Sequence, residues 1–228
     1  DMLSEFAAVA SHDLKLPIAS IITTADIIKT KYKTKLGKDG QDRLNLIKDC
    51  SFTINEYITG MLDMYTSEHG IQNSFETINI KAFFDNLLKI NLTSQKCQFW
   101  LPTETHVINS NKIALTQIFT NLFSNAVKYN DKDNCIISVN VTENKSHYKF
   151  TVTDNGPGIE KSNYKEIFKL FKTASETDNR GKKGNGIGLS IVKKLVKKLN
   201  GEISVASELG KFTTFTFTVE KPTTLTIN

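Results

Sequence analysis

Residues 117–130 read QIFTNLFSNAVKYN, and this stretch says most about the fold of the chain. Four polar residues recur at spacings of four, four and three, which places them on one face of a helix: Gln117, Asn121, Asn125 and Lys128. Apolar residues fill most of the remainder, and an amide buried without a partner costs about 1–3 kcal/mol. The polar face is therefore either solvated or a ligand site. In a ligand site, side-chain carbonyl oxygens would bind a hard cation such as Mg²⁺ and Lys128 would face a phosphate.

A second segment, DNGPGI (154–159), directly follows the strand-like HYKFTVT. Asp154 would end that strand, while Gly156 and Gly158 would let a ligand approach the backbone closely. A carboxylate only accepts hydrogen bonds, so Asp154 suits an exocyclic amine such as that of adenine. A plain turn would also explain this segment.

A third segment, GNGIGLSIVKKLVKKLNG (184–201), places Gly184, Gly186 and Gly188 at the start of a predicted helix. Glycines there expose backbone N–H groups to an anion at the positive end of the helix dipole. The spacing fits neither a dinucleotide-binding fingerprint nor a Walker P-loop. The lysines of this helix indicate a solvated face rather than a binding patch.

In the first third of the chain, apolar residues recur every three or four positions. The first run comprises Leu3, Ala7, Ala10, Leu14, Pro17, Ile21 and Ile28, widened by Ile18 and Ala25. After a polar stretch (29–42), the second run comprises Leu44, Ile47, Ser51, Ile54, Ile58, Met61 and Tyr65. Two such heptad patterns predict an antiparallel helical hairpin. Because one hairpin cannot bury its seam on all sides, we predict a homodimer in which two hairpins form a four-helix bundle.

The rest of the chain mixes strand and helix patterns. Helices are predicted at 81–93, 111–129 (with Asn111 as the cap) and 187–199, and strands at 76–80, 96–101, 106–109, 136–142, 147–153, 203–206 and 212–219. Helices packed on one face of a mixed sheet are the simplest arrangement of these elements. The predicted fold class is therefore α+β.

The composition excludes several classes of protein. Of 228 residues, 39% are hydrophobic and 23% are charged, which excludes a disordered chain. The net charge of +5 is too small to indicate nucleic-acid binding. No apolar run approaches the ~20 residues of a membrane span. Cys50, Cys97 and Cys135 are widely spaced and odd in number, so we expect reduced thiols in a cytosolic fragment, with any membrane contact made by segments outside this chain.

Taken together, the three segments resemble the N, G1 and G2 boxes of the ATPase superfamily that includes gyrase, heat-shock chaperones, mismatch-repair proteins and histidine kinases. IFKLF (167–171) resembles the F box of histidine kinases, and SHDLKLPIASI (11–21) resembles the H box of a sensor histidine kinase. The resemblance implies a helical hairpin followed by an α/β sandwich ATP-binding domain. The expected divisions are a dimerisation and phosphoacceptor domain (1–69), a linker (70–77) and a catalytic domain (78–228).

The resemblance also implies how His12 acts. It would be the nucleophile that attacks the γ-phosphate of ATP, while Asp13 would accept a hydrogen bond from Nδ1–H and make Nε2 the better nucleophile. The residues themselves are consistent with this role: His12 lies about 200° around the helix from Ala10, away from the seam. Pro17 should kink the helix nearby.

In the catalytic domain, the resemblance assigns a role to each box. Asn125 would be the principal Mg²⁺ ligand and Asn121 its companion. The other nucleotide-side positions would be Lys128 and Tyr129 near the phosphates, Asp154 reading adenine N6, Gly156 and Gly158 lining the adenine pocket, and Gly184, Gly186 and Gly188 at the lid hinge. Residues 172–183 would form a mobile lid, from which Arg180, Lys182 or Lys183 could reach the γ-phosphate.

The implied function is an ATP-dependent protein-histidine kinase that acts as a dimer and passes its phosphoryl group to an aspartate of a response regulator receiver domain. Four residues after His12, Leu16 replaces the Thr, Asn or Gln of many family members, so phosphatase activity toward the regulator should be weak. The alternatives are a nonenzymatic scaffold, a chaperone- or topoisomerase-like ATPase and, least favoured, a DNA-binding module. The scaffold should have lost these motifs, and the ATPase should lack the H box. Autophosphorylation distinguishes all four.

Overall fold

The computed structural model of the protein describes residues 2–69, 75–91, 97–103, 106–173 and 186–222. The chain divides into two compact units, Asp1–Gly70 and Ile71–Asn228. Among the described residues, no helix is both long enough and apolar enough to cross a membrane.

The N-terminal unit is the predicted helical hairpin. Helix α1 (Met2–Lys31) continues through Pro17, and helix α2 spans Gly37–His69. The prediction of a polar loop over 29–42 was too long, since α2 begins at Gly37. Near its start, α2 carries a salt bridge between Arg43 and Asp39 at 2.9 Å, one helical turn apart. These residues are polar, so a search for periodic apolar residues does not detect this part of the helix.

Within one hairpin, the buried residues of α1 are the two that the sequence placed at the side of the seam, and the buried residues of α2 belong to its predicted run. Ile18 and Ala25 are buried against α2, together with Leu44 and Ser51. Other members of the two predicted runs face outward: four apolar residues are 46–52% exposed, namely Leu14, Ile21, Ile47 and Ile54. The apolar stripe is thus wider than one helix–helix contact can cover.

The described part of the C-terminal unit contains strands and α-helices of the predicted kinds, in the predicted order. In order these are β1 (Glu76–Asn79), α3 (Ile80–Asn91), β2 (Cys97–Trp100), β3 (Val107–Ser110), α4 (Lys112–Tyr129), β4 (Cys135–Glu143), β5 (His147–Asp154), α5 (Gly188–Lys198), β6 (Ile203–Glu208) and β7 (Phe212–Glu220). The main sheet has the order β2-β4-β5-β7-β6, in which β2 and β4 are parallel and the other pairs antiparallel. Strands β1 and β3 form a separate antiparallel pair.

Aromatic side chains join α4 to the sheet. The ring centroid of Phe119 on α4 lies 5.5 Å from those of Phe150 on β5 and Phe217 on β7. All three are fully buried, and edge-to-face pairs of this kind add about 0.5–1.5 kcal/mol each beyond the burial of their area. This packing holds α4 against the sheet and so positions the polar face of α4 that the sequence singled out.

The expectation of three reduced cysteines is wrong. Cys97 and Cys135 form a disulfide, and Cys50 is free and exposed. The two bonded residues are 38 positions apart in sequence but occupy paired positions on the parallel strands β2 and β4. Counting and spacing of cysteines could not reveal this pairing, because it depends on which strands become neighbours.

Candidate functional site

A cavity of about 110 Å³ lies in the C-terminal unit where α4, the end of β5 and the start of α5 meet. Helix α4 contributes Asn125, Lys128 and Tyr129, and α5 contributes Gly188 and Leu189. Apolar walls come from residues including Ile159, Ile167 and Phe215. The cavity thus combines apolar walls with a few polar groups, as small-molecule sites do.

Helix α4 carries several residues to the cavity and is capped at its N-terminus. The Asn111 side chain accepts a hydrogen bond from the Ala114 amide at 2.9 Å, as predicted for a cap. About four turns after the cap, Asn125 and Lys128 reach the cavity. The ammonium of Lys128 lies 5.7 Å from the ring centroid of Tyr129, within cation–π range.

Asn121 lies one turn before Asn125 but does not line the cavity. Its amide Nδ2 donates to the Gln117 carbonyl at 2.9 Å. Its Oδ1 faces the start of α5, where a Cβ atom on Gly188 would lie only 2.8 Å away. Glycine at position 188 therefore allows α5 to approach the face of α4 that carries Asn121 and Asn125. This close approach requires glycine here, in addition to the exposure of a backbone amide to a ligand.

Asp154 is the buried acid of the site, 8% exposed at the cavity. Burial raises its pKa to about 6, opposed by a hydrogen bond that its Oδ1 accepts from the Gly156 amide at 2.9 Å. Within the described part of the chain, no group donates to its Oδ2. A ligand with an N–H donor would satisfy this oxygen and favour the ionised carboxylate.

Gly156 and Gly158, the two glycines after Asp154, differ in their surroundings. Gly158 lines the cavity at a φ of +77°, and a Cβ there would lie 2.4 Å from the Glu208 carbonyl oxygen. Gly156 is not among the residues that line the cavity, so its place in an adenine pocket stays a prediction. It instead approaches Asp154 so closely that a Cβ would lie 2.7 Å from Oδ1.

The ends of the predicted lid meet beside the cavity. The Phe171 amide donates to the Gly186 carbonyl at 3.0 Å, and both residues have positive φ, 63° and 65°. A Cβ on Gly186 would lie 2.6 Å from the Lys172 nitrogen. The predicted lid and hinge residues Arg180, Lys182, Lys183 and Gly184 lie outside the described residues.

Comparison with known proteins decides the family. Residues 110–223 match the histidine kinase-, DNA gyrase B- and HSP90-like ATPase family, which covers half of the chain, and residues 2–70 match the His Kinase A (phospho-acceptor) domain. The chain belongs to the histidine kinases. Its C-terminal unit is therefore an ATP-binding domain, and the predicted fold class and kinase family are confirmed.

Curated relatives of this kinase are themselves signalling kinases. Hybrid signal transduction histidine kinase B of Dictyostelium discoideum is 30% identical over 94% of this chain and 11% of its own length. The sensor protein SrrB of Staphylococcus aureus is 28% identical over 97% of this chain and 38% of its own length. The chain thus spans well under half of either relative.

Solved structures share the fold. Full-length ShkA, crystallised in complex with AMPPNP, superposes with a TM-score of 0.66 at 21% identity, over 95% of this kinase and 46% of that chain. The Acinetobacter baumannii histidine kinase AdeS superposes with a TM-score of 0.61 at 18% identity, over 90% of this kinase and 95% of that chain.

The cavity of the kinase includes residues that the sequence interpretation missed. Lys172 and Thr173 line it at the start of the predicted lid, and their position directly after IFKLF could have indicated them. Thr213 lines it from β7, in register with Asp154 on β5. No local pattern distinguishes Thr213 from the other threonines of β7, because its place in the site depends on strand pairing.

The predicted phosphoacceptor lies in the N-terminal unit of the kinase. His12 is part of α1, five residues before Pro17, and its side chain lies outside the described residues. Asp13 and Leu16 are exposed. The predicted exposure of His12 therefore stays a prediction.

Proposed function

We propose that this kinase binds Mg²⁺–ATP in the cavity between α4 and α5 and transfers the γ-phosphoryl group to His12. The observation that carries the proposal is the buried Asp154 carboxylate, with an unused acceptor oxygen, in the same cavity as Asn125 and Lys128. Asp154 suits an amine-bearing base, whereas Asn125 and Lys128 suit an anion with its cation. We assign residues 1–69 to the phosphoacceptor domain, 70–77 to the linker and 78–228 to the catalytic domain.

For the base, Asp154 supplies the acceptor. Its Oδ2 would take a hydrogen bond from the exocyclic N6 amine of adenine, while Gly156 holds Oδ1. Gly158, Ile159 and Phe215 offer close and apolar surfaces to the flat faces of the ring.

For the phosphates, the donors come from α4 and the start of α5. Lys128 and the backbone at Gly186 and Gly188 border the cavity, and the N-terminus of α5 favours negative charge. Asn125 fits a magnesium ligand, since its side chain reaches the cavity with a carbonyl oxygen available to a hard cation. Asn121 fits this role less well, because its Oδ1 faces Gly188. Bound Mg²⁺ would neutralise charge on the phosphate oxygens.

At the phosphoacceptor, the imidazole Nε2 of His12 would form the new N–P bond as the bond from the γ-phosphorus to its bridging oxygen breaks and ADP leaves. Asp13 would accept a hydrogen bond from Nδ1–H and so keep the lone pair on Nε2. The phosphoryl group would then pass to an aspartate of a receiver domain.

We also propose that the kinase acts as a homodimer. The exposed row Leu14, Ile21, Ile47 and Ile54 would be covered by the same row of a second hairpin, completing a four-helix bundle. A cytosolic location is part of the proposal too.

Labelling with γ-phosphate-labelled ATP tests the function. We expect the chain to incorporate label that is lost in mild acid and kept in base, as for an N–P bond. His12→Gln should abolish labelling but leave ATP binding intact, and His147→Gln should behave like the wild type. Asn125→Ala should weaken Mg²⁺–ATP binding or eliminate labelling. Full labelling of His12→Gln would refute the assignment.

A further inference from the structure

The hydroxyl of Ser207 on β6 occupies the centre of a small polar cluster next to the cavity. Its Oγ accepts a hydrogen bond from the Ile159 amide at 2.8 Å and donates to the Phe212 carbonyl at 2.6 Å. The same Oγ lies 3.1 Å from Oγ1 of Thr213, its cross-strand partner on β7. Ser207 itself does not line the cavity, whereas Thr213 does.

The direction of each hydrogen bond in this cluster follows from counting protons. A serine hydroxyl has one proton and two acceptor lone pairs. The Phe212 carbonyl can only accept, so the Ser207 proton is committed to it. The Ile159 amide can only donate, so it uses one lone pair of Ser207. The contact with Thr213 must then run from the Thr213 hydroxyl to the second lone pair of Ser207.

The orientation of the Thr213 proton has a consequence for the cavity. Thr213 is 5% exposed and lies in register with Asp154 on the neighbouring strand. With its proton held by Ser207, Thr213 can only offer lone pairs to the cavity. Asp154 also offers an acceptor there when it is ionised. Asp154 and Thr213, the two buried polar side chains that the paired strands β5 and β7 contribute to the cavity, therefore present acceptors only.

We infer that Ser207 is a specificity-determining positioning residue: by holding the Thr213 proton, it makes the cavity select a 6-amino purine over a 6-oxo purine. A 6-oxo group would place a third acceptor against Thr213 and Asp154, and buried acceptors that face each other lose their hydrogen bonds. This inference rests on the proposed binding of ATP in the cavity. It adds a residue outside the cavity to the selection of the base.

Equilibrium binding of ATP and inosine triphosphate tests the inference, because the two nucleotides differ at position 6 and its neighbouring ring nitrogen. Binding to the full chain would be measured by calorimetry with Mg²⁺ present. In Ser207→Ala the Thr213 hydroxyl is free to rotate and donate to a 6-oxo group. We expect the ratio of the ATP and inosine triphosphate affinities to fall about tenfold, mainly through tighter binding of inosine triphosphate. An unchanged ratio would overturn the inference.

Two controls distinguish this role of Ser207 from a general destabilisation of the end of β6. The Tyr164 hydroxyl donates to the Ser207 carbonyl at 2.7 Å and accepts from its amide at 2.6 Å, so Tyr164→Phe removes an anchor of the same segment but leaves the Thr213 proton in place. We expect Tyr164→Phe to lower stability and to keep the ratio. In a Thr213→Val background, Ser207→Ala should change the ratio no further, and a tenfold change there would overturn the inference. If the wild type binds neither nucleotide, the proposed function fails. If it binds ATP but Ser207→Ala leaves the ratio unchanged, this inference alone fails.

Discussion

Replacing Asp154 with asparagine should stabilise the nucleotide-free catalytic unit while it weakens ATP binding. Asparagine keeps the shape of the side chain and an oxygen that can accept from the Gly156 amide. It removes the charge whose burial raises the pKa of Asp154 from 3.8 to about 6. A shift of about two pKa units corresponds to about 3 kcal/mol between the folded and unfolded states.

The sign of this effect depends on pH. Because the folded state has the higher pKa, it binds the Asp154 proton more tightly than the unfolded state does. The proton therefore stabilises the fold below about pH 4, and this contribution is lost as the pH rises through about 6. The variant and the wild type should be of similar stability at pH 4. Above pH 7 the free energy of unfolding of the variant should be higher by about 3 kcal/mol, as an upper value.

Chemical unfolding followed by the fluorescence of Trp100 measures this difference. Trp100 is the single tryptophan of the chain and lies in the C-terminal unit, so its signal reports that unit. Equal stabilities at both pH values, or a variant that is less stable above pH 7, would refute the argument from burial.

ATP binding to the same two proteins should respond in the opposite direction. The adenine amine donates to the ionised Asp154 carboxylate. We therefore expect the affinity of the wild type for ATP to fall as the pH drops below about 6. The variant should bind ATP about tenfold or more weakly at pH 7.5 and lack this part of the pH dependence. The titration of the phosphates affects both proteins equally, which makes the variant its own control. A wild-type affinity that parallels the variant at every pH would exclude Asp154 from contact with the base.

Three further outcomes are expected. Cys97→Ser removes the disulfide that closes a loop of 38 residues. Under oxidising conditions it should lower the free energy of unfolding of the C-terminal unit by up to about 4 kcal/mol. An unchanged unfolding midpoint would contradict a disulfide between Cys97 and Cys135 in the native protein. Ile21→Lys combined with Ile47→Lys should convert dimers to monomers in sedimentation experiments, whereas Leu46→Lys, at a position 63% exposed, should not; dimers that survive the double change would place the interface elsewhere. The chain should not accelerate loss of the acyl phosphate from a phosphorylated receiver domain, since Leu16 cannot orient a water molecule; strong acceleration would refute that reasoning.

Much of the site was predictable because its parts are local. The spacing of Asn121, Asn125 and Lys128 follows from the helical repeat, and the cap at Asn111 follows from its side chain. The placing of Asp154 at a strand end also followed from alternation along β5. The state of Cys97 and Cys135 was mispredicted because these two residues become neighbours only through the pairing of distant strands.

The amino-acid sequence by itself determined the elements of this kinase, the hairpin pattern and the order of its motifs, because these depend on residues within a few positions of one another. Tertiary structure alone decided that Cys97 bonds Cys135, that Thr213 stands beside Asp154 and that Gly188 meets Asn121. Each of these contacts joins segments that are tens of residues apart. Local propensities carry no record of strand register or helix packing, which are set only when the whole core forms.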